Sequence, residues 1–408
     1  MMLHDGTSRS LDIRLSQVIS IHYTVMIIKN MVVSSSQLFL PLNSSINTLI
    51  MIVLCLLYGI IFLKEFRELR FLYVQIGLLL AIVVFWIISF LNDSSIFDYY
   101  YVKLQIKDFV AFSLPMLIFV PMLEETDTLL ENFYKASYLM FIGAFIASVL
   151  MFINYTSASI YSSYNMSFGR NAMIPCIFLF SKYFTEKKTS DFILASSLLI
   201  LILIFGSRFP LLCISFYIIM KLLRVPTYKK VISLIGLLAI GIPMILYFQS
   251  ISYKIMTLLE RFGTRSRTLL LFSHGQASYS SGRTLIHKEL HDAINQSPIW
   301  GYGAGAGNII LNDGLPHGFV IDTFANFGYI FGGIFLLLSG LYIFYAYKLT
   351  KRRSGSELLL ILAANYLPIS TIQLALWRAD TFWFSIALSI SLVKQAKRGK
   401  SKSKELSN

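Results

Sequence analysis

Long apolar blocks separated by short polar connections make up most of this chain. About 20 mainly apolar residues suffice for one membrane-spanning helix, and fewer where the helix is short or broken. By that measure about twelve spans are predicted. They cover Leu15–Leu40, Ser45–Leu63, Phe71–Leu91, Leu104–Leu123, Asn132–Ile153, Arg170–Phe184, Phe192–Phe205, Phe209–Leu223, Val231–Phe248, Phe319–Tyr347, Glu357–Leu376 and Thr381–Val393. Lys29 and the run Ser34-Ser35-Ser36 interrupt the first. The pattern predicts an all-α polytopic integral membrane protein, a single membrane domain over residues 1–408.

The connections set an orientation. Basic residues between Lys64 and Arg70, at Lys187-Lys188, from Arg224 to Lys230, from Lys348 to Arg353 and from Lys394 to Lys404 all fall on one side of the twelve-span weave. Basic loops stay cytoplasmic, so both termini and the basic tail 394–408 are expected there. The acidic connection Glu124 to Glu131 carries little weight in this rule.

One segment does not fit the weave. Residues 249–318 are too polar to span, and the topology places them as a large extracytoplasmic loop. Ile251 to Phe272 carries apolar residues at helical spacing beside Lys254, Arg261, Arg265 and Arg267, the pattern of an amphipathic helix on a membrane surface. A second helix is expected to start after Ser280-Ser281-Gly282, with serine as its cap, and to stop at Pro298. The run from Gly301 to Gly307 holds four glycines, which lets the backbone turn tightly or approach a ligand closely.

Composition excludes the soluble classes. Of 408 residues, 56% are apolar and 14% charged, and the mean hydropathy is +0.67. Soluble domains carry about 25% charged residues. The net charge of +14 is accounted for by basic residues flanking spans, and nucleic acid is not expected as a partner. Cys55, Cys176 and Cys213 lie far apart in apolar runs and are expected to behave as small buried hydrophobes. Met1 to Arg14 is polar and mixed in charge, without the pattern of a cleavable signal. The Lys/Ser-rich tail is expected to be disordered.

Candidate chemistry begins with arginines on the outer side, where the charge rule does not favour them: Arg170, Arg208, Arg261, Arg265, Arg267, Arg283 and Arg378. Arg208 sits in Gly206-Ser207-Arg208, a break between two short apolar stretches. A guanidinium at broken helix ends suits a phosphate ligand, while a snorkelling arginine on lipid headgroups is the simpler alternative. His317 follows Pro316 where the long loop re-enters the membrane, so it is either a polar cap or a base for an incoming hydroxyl. His287 and His291 are four apart, but His-Lys-Glu-Leu-His misplaces the glutamate of a zinc-protease motif, and no metal is expected. Glu289 and Asp292 either pair with the loop arginines or act as alternative bases. The glycine run matches neither a dinucleotide fingerprint nor a P-loop.

These residues, taken in order, resemble a known family. Gly206-Ser207-Arg208-Phe209 is followed by two apolar stretches, then Ser281-Gly282-Arg283, a helix, and Pro298-Ile299-Trp300-Gly301-Tyr302-Gly303. His317 comes next, before an apolar span holding Gly328 and Gly332-Gly333. This order resembles the O-antigen polymerase and ligase superfamily of membrane glycosyltransferases, over roughly Phe192 to Tyr347. The resemblance implies an enzyme of the bacterial cytoplasmic membrane working on its outer face, with no cofactor, metal or nucleotide sugar. It would take a glycan from undecaprenyl pyrophosphate and join it to an acceptor hydroxyl of another lipid-linked glycan. A chain-length regulator and a flippase of the same pathway are the partners it implies. By resemblance Arg208 and Arg283 hold the pyrophosphate and His317 is the base. Arg170, Arg265, Arg267, Glu289 and Arg378, singled out by their place on the outer side, are expected as further substrate contacts. The superfamily's ligases carry His, then Asn, Ser or Gln, then nine residues, then Gly. Here Gly318 follows His317, nine residues precede Gly328, and Phe331 stands where Gly, Thr or Tyr is expected. That departure favours a polysaccharide polymerase of capsule or O-antigen, with a ligase as the alternative. A lipid-linked oligosaccharide flippase is the alternative from a different class.

Overall fold

The computed structural model describes residues 3–36, 44–65, 73–155, 165–224, 247–261, 266–276, 282–350, 354–372 and 375–405. The described residues are all-helical or irregular. In chain order the helices are α1 (Leu3–Ser36), α2 (Ser44–Glu65), α3 (Tyr73–Asn92), α4 (Tyr100–Asp108), α5 (Leu114–Phe119), α6 (Asp127–Tyr155), α7 (Met166–Glu186) and α8 (Thr189–Phe205). They continue with α9 (Phe209–Leu222), α10 (Phe248–Arg261), α11 (Arg267–Ser273), α12 (Arg283–Gln296), α13 (Ala306–Ile310), α14 (Phe319–Leu349), α15 (Ser354–Tyr366) and α16 (Asp380–Glu405). Five helical stretches among the described residues are long and apolar enough to cross a membrane: Ser10–Ser35, Tyr73–Asn92, Tyr100–Met122, Asp127–Ile153 and Phe319–Leu349. Three shorter apolar helices, Thr189–Phe205, Phe209–Leu222 and Ser354–Ile369, accompany them. This is the make-up of a helical membrane protein, in which every backbone N–H and C=O is satisfied within its own helix. The expected span Val231–Phe248 lies almost wholly outside the described residues.

The chain forms two compact units. Unit 1 comprises Met1–Ser20, Met51–Asn132 and Ser280–Asn408, and unit 2 comprises Ile21–Ile50 and Phe133–Tyr279. The long polar segment is thus divided between them, with α10 and α11 in unit 2 and α12 and α13 in unit 1.

In unit 1, α16 is buried along Thr381–Val393 and packs on α14, α15 and α5. Trp377 and Trp383 stack with centroids 5.7 Å apart, and Phe109 meets both edge-on. By contrast α3 exposes Leu80, Val83, Val84, Ile87 and Ile88, and α2 exposes Leu49, Ile52, Val53, Leu56 and Ile60. Cys55 shares that exposed surface of α2, contrary to the expectation that all three cysteines are buried. Apolar faces of this extent suit lipid rather than water.

Several expected elements end differently. The predicted span Glu357–Leu376 is helical only to Tyr366, because Pro368 cannot continue the hydrogen-bond ladder; 3₁₀ turns over Leu367–Ile369 and Leu376–Arg378 follow. The tail expected to be disordered continues α16 to Glu405. Lys394 Nζ donates to the Pro121 and Met122 carbonyls at 3.4 and 3.3 Å, and Arg398 pairs with Glu124. Lys394 thus sits on carbonyls of the 3₁₀ turn Val120–Met122 that follows α5, where a helical stretch ends and leaves carbonyls without helical partners. Of the surface helix expected over Ile251–Phe272, the described residues form two helices, α10 and α11; Ser266, in extended backbone, caps the second by accepting from Leu269 N, and residues 262–265 lie outside the described residues.

In unit 2, α7 is buried on all sides from Phe168 to Ser181, apart from Arg170. Its first turn is capped by the Asn165 carboxamide oxygen, which accepts from Phe168 N at 2.9 Å, while Asn165 Nδ2 donates to Ser34 O at 2.8 Å. The predicted break at Gly206 stands: α8 ends at Phe205 and α9 starts at Phe209.

Candidate functional site: a histidine–arginine group in unit 1

The site starts from a break in α14. Gly328 has φ 73° and ψ 171°, which separates a first helical segment, Phe319–Phe327, from a second that begins at Tyr329. A break leaves carbonyls at one end and N–H groups at the other without helical partners. The segment Pro298–Gly303 fills it. Tyr302 N donates to Ala325 O at 2.9 Å and Gly303 N to Asn326 O at 3.1 Å, while Ile330 N donates to Pro298 O at 3.3 Å. The fit is backbone against backbone. A Cβ on Gly301 (φ 68°) would lie 2.4 Å from Gly328 N, and one on Gly328 would lie 2.5 Å from Ile299 O. The glycine run therefore makes its close approach to its own chain rather than to a ligand.

A buried polar network locks this arrangement. Asn326 Oδ1 accepts from Gly305 N at 3.0 Å and from Trp377 Nε1 at 3.1 Å. Asp322 Oδ2 accepts from Leu376 N at 2.7 Å. Gln105 donates to Asn308, and the Asp313 carboxylate caps α4 by accepting from Tyr100 N and Tyr101 N at 3.0 and 2.8 Å. These bonds tie the loop to α4, α14 and the Leu376–Arg378 turn, although Gln105 Oε1 is left without a hydrogen-bond partner.

On this scaffold α12 packs through Leu290 and Ile294 against Ala306, Ile321 and Ala325. Arg283, His287, Leu290 and Ile294 share one helix face at spacings of four, three and four residues. That face turns inward, and Arg283 is only 8% exposed. Gly282 with φ 82° is the N-cap of α12 and no side chain caps it, which replaces the expected serine cap; Ser281 lies outside the described residues.

The inward face meets the start of α14. His287 Nε2 lies 3.3 Å from the His317 carbonyl oxygen, so a tautomer with the proton on Nε2 donates to it. His317 holds a left-handed backbone, φ 47°, at about 1–2 kcal/mol for a residue with a Cβ. Strain of this kind concentrates at functional positions. Burial, then the charges of Arg283, His287 and Arg378, push the His317 imidazole below its usual value of 6.5. It is therefore neutral at neutral pH and can accept a proton.

Arg378 is oriented from the other side, where its Nε donates to Asp108 Oδ2 at 2.7 Å. Asp108 ends α4 just before a π-helical turn over Phe109–Ser113, which resets the helix register at that point.

The structure thus brings His317, Arg283 and Arg378 together. Glu289 is exposed on α12, about 120° around the helix from the Arg283–Leu290 face, and does not join them. Arg208 belongs to unit 2, where three arginine-bearing backbones converge on the Gly206 break. Gly169 packs against Gly206 Cα and Ser207 N, which places Arg170 beside the break. Ser266 Oγ donates to Leu203 O at 2.7 Å and Thr268 Oγ1 to Gly206 O at 2.8 Å, which places Arg267 between them. Arg208 Nη1 donates to Gln276 O at 3.0 Å. Arg265 lies outside the described residues.

Asp108, His287, Asp322 and Asn326 were not singled out as site residues from sequence. Asp322 and Asn326, four apart in an apolar span, carried the signal that intramembrane polar residues usually carry. Asp108 differs in that its partner is 270 positions away in sequence, and no local pattern announces the pair. Among the described residues no group of three His, Cys, Asp or Glu side chains could hold a metal. No known protein family matches the chain's sequence, and no characterised protein matches it.

Proposed function

We propose that the protein is a membrane glycosyltransferase that joins lipid-pyrophosphate-linked oligosaccharide units into a polysaccharide on the outer face of the bacterial cytoplasmic membrane. The observation that carries this reading is the placement of His317, in left-handed backbone with His287 Nε2 3.3 Å from its carbonyl oxygen, beside the charges of Arg283 and Arg378, which together with burial favour its neutral form. A neutral imidazole takes the proton from an acceptor sugar hydroxyl as that oxygen attacks the donor's anomeric carbon. The new glycosidic bond forms as the bond from the anomeric carbon to the phosphate oxygen breaks, and undecaprenyl pyrophosphate leaves. Negative charge grows on that leaving group, and fixed guanidinium groups stabilise it without reorganising. Asp108 neutralises part of the Arg378 charge and fixes its direction. Arg170, Arg208 and Arg267 give unit 2 a second anion-binding group, which we assign to the pyrophosphate of a lipid-linked unit.

The length distribution of undecaprenyl-pyrophosphate-linked glycan in a strain lacking the gene tests this reading by mass spectrometry. Single repeat units exposed on the outer face are expected. Full-length chains stranded on the lipid would make the protein a ligase, and single units trapped on the cytoplasmic side would make it a flippase.

A further inference from the structure

We propose that Trp300 and Phe331 anchor unit 1 in the headgroup layer of the bilayer, so that one membrane surface runs through the Gly328 break and the His317 group lies on its aqueous side.

The first observation is a change in exposure along α14. Taken as one straight rod, its 31 residues would rise about 46 Å, well beyond a hydrocarbon core of about 30 Å. The break resolves the excess. From Ala304 to Tyr329 no large apolar side chain is exposed; from Ile330 onward Ile330, Phe331, Ile334, Leu337, Leu338, Leu341, Phe344 and Tyr345 all are. Ile330 to Leu349 rises about 30 Å, one hydrocarbon thickness.

The second observation comes from α3. Its 20 residues also rise about 30 Å, with an exposed apolar surface running from Tyr73 to Leu91. Its polar end meets the same level, since Ser89 Oγ accepts from Ala304 N at 2.8 Å and Phe85 packs on Phe327 at 4.5 Å. Two helices from distant parts of the chain thus end their apolar surfaces at one height.

Trp300 marks that height. It is 71% exposed and stacks on Phe331, itself 41% exposed, with centroids 4.7 Å apart. The pair continues the apolar face of α14 without interruption, and Ile299 and Tyr302 extend it. Tryptophan favours the membrane–water boundary, where an apolar ring and a polar N–H are both accommodated. The occupant is therefore lipid, at headgroup depth. A sugar stacked on the indole is the competing occupant that the test separates.

The test uses the full chain reconstituted in phosphatidylcholine–phosphatidylglycerol vesicles, with nitroxide labels on the headgroup or at mid-chain. Of the four tryptophans, Trp377 and Trp383 are buried and Trp86 is partly covered. The difference between wild type and Trp300→Phe isolates the Trp300 emission. It is expected to be quenched about twofold more by the headgroup label than by the mid-chain label, which sit on the order of 10 Å apart in depth. Leu337→Trp in the Trp300→Phe background, six residues beyond Phe331 along α14, is expected to reverse that preference. Equal or stronger mid-chain quenching of Trp300 would overturn the proposal. So would insensitivity to both lipid labels with strong quenching by aqueous iodide, the outcome for a water-facing ring that stacks on sugar.

Discussion

Gly301→Ala removes the fit that holds the candidate site together, and its cost can be worked from the backbone. Gly301 has φ 68°, where an added Cβ costs about 1–2 kcal/mol. The new carbon would also meet Gly328 N at 2.4 Å and the Ala325 O and Asn326 C atoms at 2.7 Å. All three are backbone atoms of a helix end, so none can rotate aside, and the loop itself must move. Overpacking of this kind costs about 1–3 kcal/mol. Displacing the loop also strains the Tyr302 and Gly303 N–H bonds, each contributing about 0.5–1.5 kcal/mol. The expected destabilisation is about 3–8 kcal/mol, the upper end applying if both bonds are lost, a large share of the roughly 5–15 kcal/mol that folded domains typically possess. Gly333→Ala is the control, because a Cβ there meets nothing within 4 Å in a helical stretch. It is expected to change stability by less than about 1 kcal/mol. Thermal unfolding of both variants in the same nanodiscs, followed by intrinsic fluorescence, measures the difference. Gly301→Ala unfolding within about 1 kcal/mol of wild type would refute this packing, because the segment Pro298–Gly303 would then not be fixed in the α14 break.

Other perturbations separate chemistry from packing. His317→Gln is expected to abolish glycan extension while protein levels stay normal; unchanged extension would make His317 a structural cap. Because the His317 pKa is depressed, the unfolded chain takes up this proton first as pH falls. Its contribution to stability is thus present above about 6.5 and diminishes as pH drops from there toward the folded value. His317→Gln should flatten that part of a stability–pH curve. Asp108→Asn is expected to lower turnover more than it raises the apparent KM, with recovery in Asp108→Glu, whereas a purely structural pair would lower melting temperature and leave the kinetic ratio unchanged. Leu290→Ala empties a fully buried position between α12 and α14 and should cost about 2–5 kcal/mol. A melting temperature close to wild type would show that α12 is held by something other than this core.

The hydrophobic pattern by itself determined that the chain is helical and suited to a membrane, because stretches such as Tyr73–Asn92 leave the backbone no partner but itself. It also located the Gly206 break and the start and stop of α12, since Gly and Pro act locally and within a few residues. Local signals ended there. Tertiary structure decided that the glycine run packs into α14, that Arg378 is turned by Asp108, and that Arg283 and Glu289 on one helix have opposite fates. It also divided the arginines, gathering Arg283 and Arg378 around His317 in one unit and Arg170, Arg208 and Arg267 around a helix break in the other. Each of these depends on which distant backbone fills which gap, a matter of packing geometry between segments that lie tens to hundreds of residues apart, and a one-dimensional pattern carries no record of it.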